Sequence, residues 1–462
     1  MELSVKEIIE ATGGTLLCGS ERLKVTGACV DSRKAEKGDI FVPLIGERVD
    51  AHRFIKAVLE GGTECSFTSS REAYEEVKDL GKTVILVEDT LKALQDMASY
   101  YRSHFQLPII GITGSVGKTT TKEMVAAALE TKLRVLKTEG NMNSQIGLSL
   151  MMLKLTKEHQ AAVIEMGMSE KGEMSKLAVI ARPEIAVMTN IGVSHIGQLG
   201  SQENIREEKL HITDTFSEEK GKLFLNGDDE LLSQVKLSKG KSIFYGISEE
   251  CRLKATDIET IGEETHFTFH YPGGTERIVL SVLGYHNVLN ALAALGIALE
   301  FGISPAEAKQ GLYHYRPIAM RGQIYEKNGW KVIDDTYNAS PDSMKSSIQM
   351  LLEHREFSRR FAVLADVLEL GEISYECHYE VGMFIAKIKA EDRKVDEIIT
   401  VGCEAKAIGK AVLENAPSIR VHSFDTNGQA IAYLKENLKA GDGCIVKGSR
   451  GMHTDEIVRA LI

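Results

Sequence analysis

The sequence lacks the features that mark membrane-spanning, disulfide-bonded and repeat proteins. It contains no run of the roughly 20 apolar residues that a membrane-spanning helix needs. Its seven cysteines form no C-x-x-C pair, so we expect scattered buried thiols in a reducing compartment, without a metal site or disulfides. Internal repeats and low-complexity tracts are also absent from the sequence.

Basic residues are fewer than acidic residues in this chain. The chain has 55 Lys and Arg against 66 Asp and Glu, a formal net charge of −11. This balance argues against a general nucleic-acid binder and favours a small-molecule enzyme with local basic pockets. The first residues are acidic where a secretory signal would be basic, so we expect a cytoplasmic protein with no membrane span.

Length and element pattern predict a multidomain α/β protein. The chain has 462 residues, of which 43% are hydrophobic and 26% charged, as in globular proteins. A chain of this length predicts about two to four domains. Strand-like and helix-like segments alternate along it, and we place domains at residues 1–88, 89–313 and 314–462.

The segment 111–124, GITGSVGKTTTKEM, predicts a phosphate-binding loop. An apolar strand precedes it at 107–110, and a helix is expected over 119–131. Glycines let backbone N–H groups approach a phosphate, and the helix N-terminus favours negative charge. Lys118 would reach the β- and γ-phosphates, and the Thr119 hydroxyl would bind Mg²⁺. The alternative is an ordinary glycine-rich turn between a strand and a helix.

Two later strand ends carry further candidates. The strand predicted at 160–167 contains Glu165 near its end, where phosphate-loop proteins hold a Mg²⁺ acid; a capping or salt-bridged Glu is the alternative. The strand that begins near residue 184 leads into a loop with His195, which is either a metal ligand or an uninvolved loop histidine. A charged helix expected over 202–216 carries Lys209.

The two flanking domains also carry polar candidates. Ser32 and Arg33 in the first domain suit an anionic or nucleotide-like ligand, although surface loops are the alternative. The last domain is predicted to be a parallel, doubly wound sheet without a second glycine fingerprint. We expect it to contribute Arg321, Asp335 and Lys447 to a site at a domain cleft.

Seven segments, in chain order, resemble the Mur ligases: GITGSVGKTTTKEM, TEGNMNSQIG, EMGMSEKGEM, TNIGVSHI, GYHNVLN, IDDTYNASPDSM and KGSRGM. DSR, GDIFVPLIGERVDAHRFI and ADVLELG are most similar to the member that adds D-alanyl-D-alanine to UDP-N-acetylmuramoyl-tripeptide (UDP-MurNAc-tripeptide). The resemblance covers essentially the whole chain. It implies a small α/β domain that binds the UDP-sugar peptide, a central ATPase domain with a parallel sheet, and a Rossmann-like third domain.

The resemblance also implies roles for individual residues, with ATP and the two peptides as substrates and two Mg²⁺ ions as cofactors. Thr119 would hold one Mg²⁺, Glu165 and His195 the second, and Lys209 matches a lysine that is carbamylated in the family. The implied nucleotide contacts are Gly114, Ser115, Gly117, Lys118, Thr119, Thr120, Asn287, Arg321, Asp335 and Asn338. Those to the other substrates are Ser32, Arg33, Asn141 and Lys447.

Four alternatives stay open at this stage. Two share the fold: the ligase that adds a diamino acid at the preceding step, whose DNPR motif does not occur here, and a folylpolyglutamate-type synthase. A regulatory or transport ATPase would hydrolyse ATP without an amine acceptor. A catalytically inactive binding protein would not need to retain Lys118, Glu165, His195 and Lys209. We expect a monomer, and the third peptide residue is either lysine or diaminopimelate.

Overall fold

The fold is built on three large β-sheets with helices packed against them. A computed structural model describes residues 1–388 and 393–462 of the chain. Its sheets have five, nine and six strands in chain order, with a two-stranded ribbon beside the first. None of the helices in this described part is long and apolar enough to cross a membrane.

The amino-terminal sheet has the strand order β2-β7-β6-β5-β4, in which only β2 is antiparallel to its neighbour. Helix α1 opens with a capping box between Ser4 and Glu7 and ends at Gly13. The elements are β1 (Leu3–Ser4), α1 (Val5–Thr12), β2 (Thr15–Cys18), β3 (Lys24–Val25), β4 (Gly27–Cys29), β5 (Asp39–Phe41), a 3₁₀ turn (Ala51–Phe54), α2 (Ile55–Glu60), β6 (Cys65–Thr68), α3 (Arg71–Glu75) and β7 (Thr83–Leu86).

The central sheet has the order β16-β15-β14-β13-β12-β11-β8-β10-β9, and its strands β8 to β14 are parallel. A hairpin of β15 and β16 forms the antiparallel edge of the sheet. Its elements are α4 (Thr90–Ser103), β8 (Ile109–Thr113), α5 (Lys118–Glu130), β9 (Val135–Lys137), α6 (Gln145–Met152), β10 (Ala161–Glu165), α7 (Glu173–Ala181), β11 (Ile185–Met188), α8 (Ile196–Leu199), α9 (Gln202–Leu210), a 3₁₀ turn (His211–Thr213), β12 (Lys222–Asn226), β13 (Lys241–Gly246), β14 (Leu253–Ile261), β15 (Glu264–Tyr271), β16 (Gly274–Leu280), α10 (Tyr285–Glu300) and α11 (Pro305–His314).

The carboxy-terminal sheet has the order β17-β18-β22-β19-β20-β21, and all of its strands except β17 are parallel. Its elements are β17 (Gln323–Lys327), β18 (Trp330–Asp334), α12 (Pro341–Glu353), β19 (Arg360–Ala365), a 3₁₀ turn (Gly371–Ile373), α13 (Ser374–Lys387), β20 (Glu397–Val401), α14 (Lys406–Asn415), β21 (Arg420–Phe424), α15 (Asn427–Asn437), β22 (Gly443–Lys447), a 3₁₀ turn (Arg450–Met452) and α16 (Asp455–Leu461).

Several sequence predictions need correction. The helix expected over 202–216 ends at Leu210 and continues only as a short 3₁₀ turn. Strands β14 and β17 were not predicted, because their polar, partly exposed residues give no apolar signal. The cysteines in the described structure are free; four are buried as expected, whereas Cys18 and Cys29 are partly buried and Cys403 is exposed.

Helix α5, which begins at Lys118, packs against α10 and α11. The closest approach is at Gly311 of α11, where a Cβ atom would lie 1.9 Å from the carbonyl oxygen of Ala127. Helices α5 and α11 can therefore pack this closely only if residue 311 has no Cβ atom.

We expect Gly311→Ala to destabilise the protein by about 1–3 kcal/mol, since the added methyl forces the backbones of α11 and α5 apart. Urea unfolding followed by circular dichroism would measure the loss. The matched control is Gly428→Ala near the start of α15, where a Cβ meets nothing closer than 4.0 Å. Equal unfolding midpoints for both variants would contradict the close packing of α11 on α5.

Candidate active site

Three parallel strand ends form the floor of the candidate site. Strand β8 lies between β10 and β11, with Ile112 beside Glu165 and Thr113 beside Met188. Because parallel strands finish at the same edge of a sheet, the loops after them converge there, as ligand sites of open α/β sheets do.

The loop after β8 needs glycine at two positions. Gly114 has φ +144°, and a Cβ there would lie 1.9 Å from Thr189 Oγ1. Gly117 has φ +84° and precedes α5 directly, without a side-chain cap from the residues described. The first N–H groups of α5 therefore face the space above the loop, as an anion site requires.

Side chains from the next strand hold this loop in shape. Asn190 Oδ1 accepts hydrogen bonds from the N–H groups of Ser115 and Val116, at 3.1 and 2.8 Å. The Thr189 hydroxyl donates to the Val116 carbonyl oxygen at 2.5 Å. The loop is thus preorganised by the β11 strand end, and a ligand does not have to order it.

Two lysines, of which Lys209 is buried and Lys118 is half-buried, share one carbonyl oxygen of the loop. Lys118 Nζ lies 2.9 Å and Lys209 Nζ 3.2 Å from the Gly114 carbonyl oxygen, to which both donate. Lys209 is only 2% exposed. Its burial, and then the charge of Lys118, lower its pKa well below that of a free lysine. Burial also lowers the pKa of Lys118, against the opposing effect of Glu165.

Glu165 presents an unpaired carboxylate oxygen at the end of β10. Its Oε1 accepts a hydrogen bond from Asn143 Nδ2 at 2.7 Å, and its backbone N–H donates to Thr138 Oγ1 at 2.9 Å. Its Oε2 is buried and, among the residues described, has no hydrogen-bond partner. A buried oxygen in this state fits a cation, because an unsatisfied carboxylate is costly in the protein interior.

His195 contributes a second candidate ligand from the loop after β11. Its backbone is left-handed, with φ +64°, and its Nδ1 lies 3.3 Å from Glu369 Oε2 of the carboxy-terminal domain. Burial lowers the pKa of this imidazole, which Glu369 partly opposes. In the ranges 1–388 and 393–462, no cluster of three or more His, Cys, Asp or Glu side chains could hold a metal. Mg²⁺ here would need oxygen ligands from phosphates and water, as is usual for this ion.

A cavity of about 830 Å³ lies between the central and carboxy-terminal domains. It brings together most of the residues predicted from sequence, drawn from both sheets. Those that line it are Ser115, Gly117, Lys118, Thr119, Thr120, Asn141, Glu165, His195, Asn287, Arg321, Asp335, Asn338 and Lys447. Gly114 of the loop and Lys209 are not among the lining residues described; they are joined to each other by the hydrogen bond given above.

The carboxy-terminal wall of the cavity carries a buried ion pair. Lys447 Nζ lies 2.6 Å from Asp335 Oδ2, which also accepts a hydrogen bond from the Ser347 hydroxyl at 2.6 Å. The Arg321 guanidinium stacks 4.0 Å from the centre of the Tyr337 ring, and within the described structure its buried Nε has no partner. Arg321 is therefore the cation on this wall with an unused donor.

Helix α10 reaches the cavity through an N-terminus that the other domain caps. The Gly284 N–H donates to Glu353 Oε2 of α12 at 2.8 Å. Asn287 Nδ2 donates to the Leu283 carbonyl oxygen at 2.7 Å, and the residue also lines the cavity. The docked carboxy-terminal domain thus satisfies a backbone N–H at the start of this helix.

Two predicted residues lie elsewhere. Ser32 and Arg33 belong to the amino-terminal domain and, in the part of the chain that is described, do not line this cavity. Arg33 pairs with both carboxylate oxygens of Asp31, at 2.9 and 2.8 Å. That pairing lowers the pKa of Asp31 to about 2. The pair uses two of the five N–H groups of the Arg33 guanidinium.

Sequence reasoning gave no role to three residues that shape the site: Asn143, Thr189 and Asn190. Asn143 was only a turn residue, yet it holds Glu165. Thr189 and Asn190 directly follow β11, and strand-end position was the signal that could have identified them.

Known protein families and relatives match this chain over most of its length. The model of the Mur ligase middle domain matches residues 112–298, and that of the Mur ligase, glutamate ligase domain matches residues 320–450. The chain is 38% identical over 461 residues to the UDP-N-acetylmuramoyl-tripeptide–D-alanyl-D-alanine ligase of Bacillus subtilis (strain 168), covering 99% of this chain and 98% of the relative. The chain belongs to the Mur ligase family.

Solved Mur ligase structures share the three-domain α/β fold, which is thereby confirmed. MurF from Acinetobacter baumannii superposes with a TM-score of 0.90 at 30% identity, covering 100% of this chain and 99% of that one. MurF from Thermotoga maritima in complex with ADP gives a TM-score of 0.82 at 28% identity, with 95% and 97% covered.

We expect Lys118→Ala to lower ATP turnover by at least about 10²-fold, the scale of losing one charge-stabilising donor. Steady-state release of phosphate measures this. The control is Lys132→Ala, just beyond the same helix, where the 53% exposed side chain only pairs with Glu307. Near-normal turnover of Lys118→Ala would rule out the phosphate-loop assignment.

Proposed function

We propose that this Mur ligase is an ATP-dependent amide ligase. It joins D-alanyl-D-alanine to the terminal carboxylate of UDP-MurNAc-tripeptide and forms the UDP-MurNAc-pentapeptide precursor of peptidoglycan. The observation that carries the proposal is the cavity itself, in which a phosphate loop faces a second domain across a space large enough for a nucleotide. An uncoupled ATPase does not need the carboxy-terminal wall of the cavity. A ligase does, because it must bring two more substrates to the γ-phosphate of ATP.

The first step activates the carboxylate, which is a poor electrophile. A carboxylate oxygen of the tripeptide attacks the γ-phosphorus of ATP, the bond to the β–γ bridging oxygen breaks, and ADP leaves. Lys118 from the loop and Arg321 from the facing wall supply positive charge where the phosphoryl group passes. The product is an acyl phosphate.

The second step forms the amide. The amine of D-alanyl-D-alanine, after losing a proton, attacks the acyl carbon to give a tetrahedral intermediate. The nitrogen releases a second proton to solvent, the carbon–oxygen bond to phosphate breaks, and inorganic phosphate leaves. Water would hydrolyse the acyl phosphate, so a docked carboxy-terminal domain protects it. The bond from Gly284 to Glu353 is one contact that serves this docking.

We assign the metal ligands to the residues that fit them best. Thr119 would hold one Mg²⁺ ion and Glu165 with His195 a second, with the unpaired Oε2 of Glu165 as the supporting observation. Bound Mg²⁺ neutralises charge on phosphate oxygens. Asn143 fixes the orientation of the Glu165 carboxylate through its hydrogen bond to Oε1.

Lys209 suits carbamylation because its environment favours the neutral amine. The Nζ lone pair attacks carbon dioxide, a nitrogen–carbon bond forms, one carbon–oxygen π pair moves to oxygen, and a proton goes to solvent. The carbamate nitrogen keeps one hydrogen, with which it can still donate to the Gly114 carbonyl oxygen. The change places a negative group beside Lys118 and removes the repulsion between two cations.

The remaining assignments follow from the same proposal. Residues 1–88 bind the UDP-sugar peptide through Ser32 and Arg33, 89–313 bind ATP, and 314–462 close over the nucleotide. Asn287 and Asn338 contact adenine, Asp335 contacts ribose, and Asn141 and Lys447 contact the other substrates. We propose that the protein acts as a cytoplasmic monomer.

The direct test is phosphate release from purified protein with ATP, Mg²⁺, UDP-MurNAc-tripeptide and D-alanyl-D-alanine, with each omitted in turn. Release that requires both peptides, with a pentapeptide product by mass spectrometry, is the expected result. Release without the dipeptide would favour an uncoupled ATPase. Release with a free amino acid in its place would move the protein to another member of the family.

We expect Lys209→Ala to be nearly inactive and to regain part of its activity with short carboxylic acids, which replace the carbamate. The matched control is Glu207→Ala on the same helix, whose side chain is 69% exposed. Turnover in the presence and absence of acetate or propionate measures the effect. Full activity of Lys209→Ala without rescue would show that the carbamate has no role.

A further inference from the structure

We propose that Glu369 is a positioning residue that orients His195 for metal binding from the opposite domain. The inference rests on the proposed function, which makes His195 a Mg²⁺ ligand. Glu369 lies in the loop after β19 of the carboxy-terminal sheet, whereas His195 follows β11 of the central sheet. Their side chains meet across the domain boundary, with Nδ1 3.3 Å from Oε2.

Both residues adopt a backbone conformation that is unfavourable for their type. His195 has φ +64° and Glu369 has φ +69°. A non-glycine residue in the left-handed region costs on the order of 1 kcal/mol, and such residues persist only where the surrounding structure fixes them. Two strained residues, one from each domain, make contact here through their side chains.

The backbones around them are packed closely enough to fix this contact. A Cβ on Gly197 of α8 would lie 3.4 Å from the Glu369 carbonyl oxygen. A Cβ on Gly192 would lie 2.3 Å from Asp342 Oδ2 of α12, so only glycine fits there. Val193 packs against the core of the carboxy-terminal domain. The loop that carries His195 is therefore held by the domain that carries Glu369.

The contact determines which imidazole nitrogen is available. A carboxylate beside Nδ1 favours the tautomer with hydrogen on Nδ1, and this leaves the lone pair of Nε2 for a cation. The same carboxylate fixes the rotation of the ring. Because Glu369 belongs to the carboxy-terminal domain, His195 is oriented only when that domain is docked. Metal binding and domain docking would then strengthen each other.

The test measures Mn²⁺ binding to the full-length protein in the presence of ADP, by the electron paramagnetic resonance signal of free Mn²⁺. We expect Glu369→Ala to weaken this binding by about tenfold, the lower end of the range for partners of metal-binding histidines. Glu369→Gln should recover most of the affinity, because its amide oxygen can still face the hydrogen on Nδ1. In turnover, the KM for Mg²⁺ should rise while kcat at saturating Mg²⁺ stays near that of the unaltered protein.

Two further variants distinguish failure of the Glu369 inference from failure of the His195 metal assignment. Glu372→Ala removes an exposed carboxylate from the same loop and should bind Mn²⁺ normally. His195→Ala should lose affinity at least as strongly as Glu369→Ala. Normal binding by Glu369→Ala together with weakened binding by His195→Ala would overturn this inference alone. Normal binding by both would also remove His195 from the proposed metal site, while leaving the phosphate-release test unaffected.

Discussion

The carbonyl oxygen of Gly114 accepts hydrogen bonds from Lys118 and Lys209, the two lysines of the proposed phosphate site. For this oxygen to be in place, the loop must pass against Thr189 at a distance that excludes any side chain at position 114. The strand end that supplies Thr189 also supplies Asn190, which holds two loop N–H groups. The architecture of the parallel sheet, with β11 beside β8, is what makes this geometry possible.

The second domain completes the site through contacts between polar groups. Glu353 caps the helix that carries Asn287, and Lys447 is neutralised by Asp335 before any ligand is bound. The hydrogen bond from Gly284 to Glu353 joins the two domains, whereas the pair of Lys447 and Asp335 lies within the carboxy-terminal domain. The directional hydrogen bond favours one docked geometry, which a purely apolar contact would not ensure.

The fold and much of the site could be predicted from the sequence, because their signals are local. A glycine loop between strand and helix identifies Lys118, and an acid at a strand end identifies Glu165. Lys209 was assigned through resemblance, because a lysine in a charged helix carries no local sign of the tertiary packing that buries it. The pairing of Arg33 with Asp31 and the contact of His195 with Glu369 depend on side-chain rotamers and domain docking. Residue spacing carries no information about either.

The shared carbonyl oxygen also has a consequence for covalent ligand design. Lysine amines react with electrophiles only when unprotonated, and burial lowers the pKa of both Lys118 and Lys209. At a given pH, a larger fraction of these two amines is nucleophilic than of the lysines at the surface. Lys118 lines the cavity, so an electrophile shaped to that space would acylate it in preference to exposed lysines. The electrostatic repulsion that the phosphate loop tolerates thus gives an inhibitor a chemical means of selectivity.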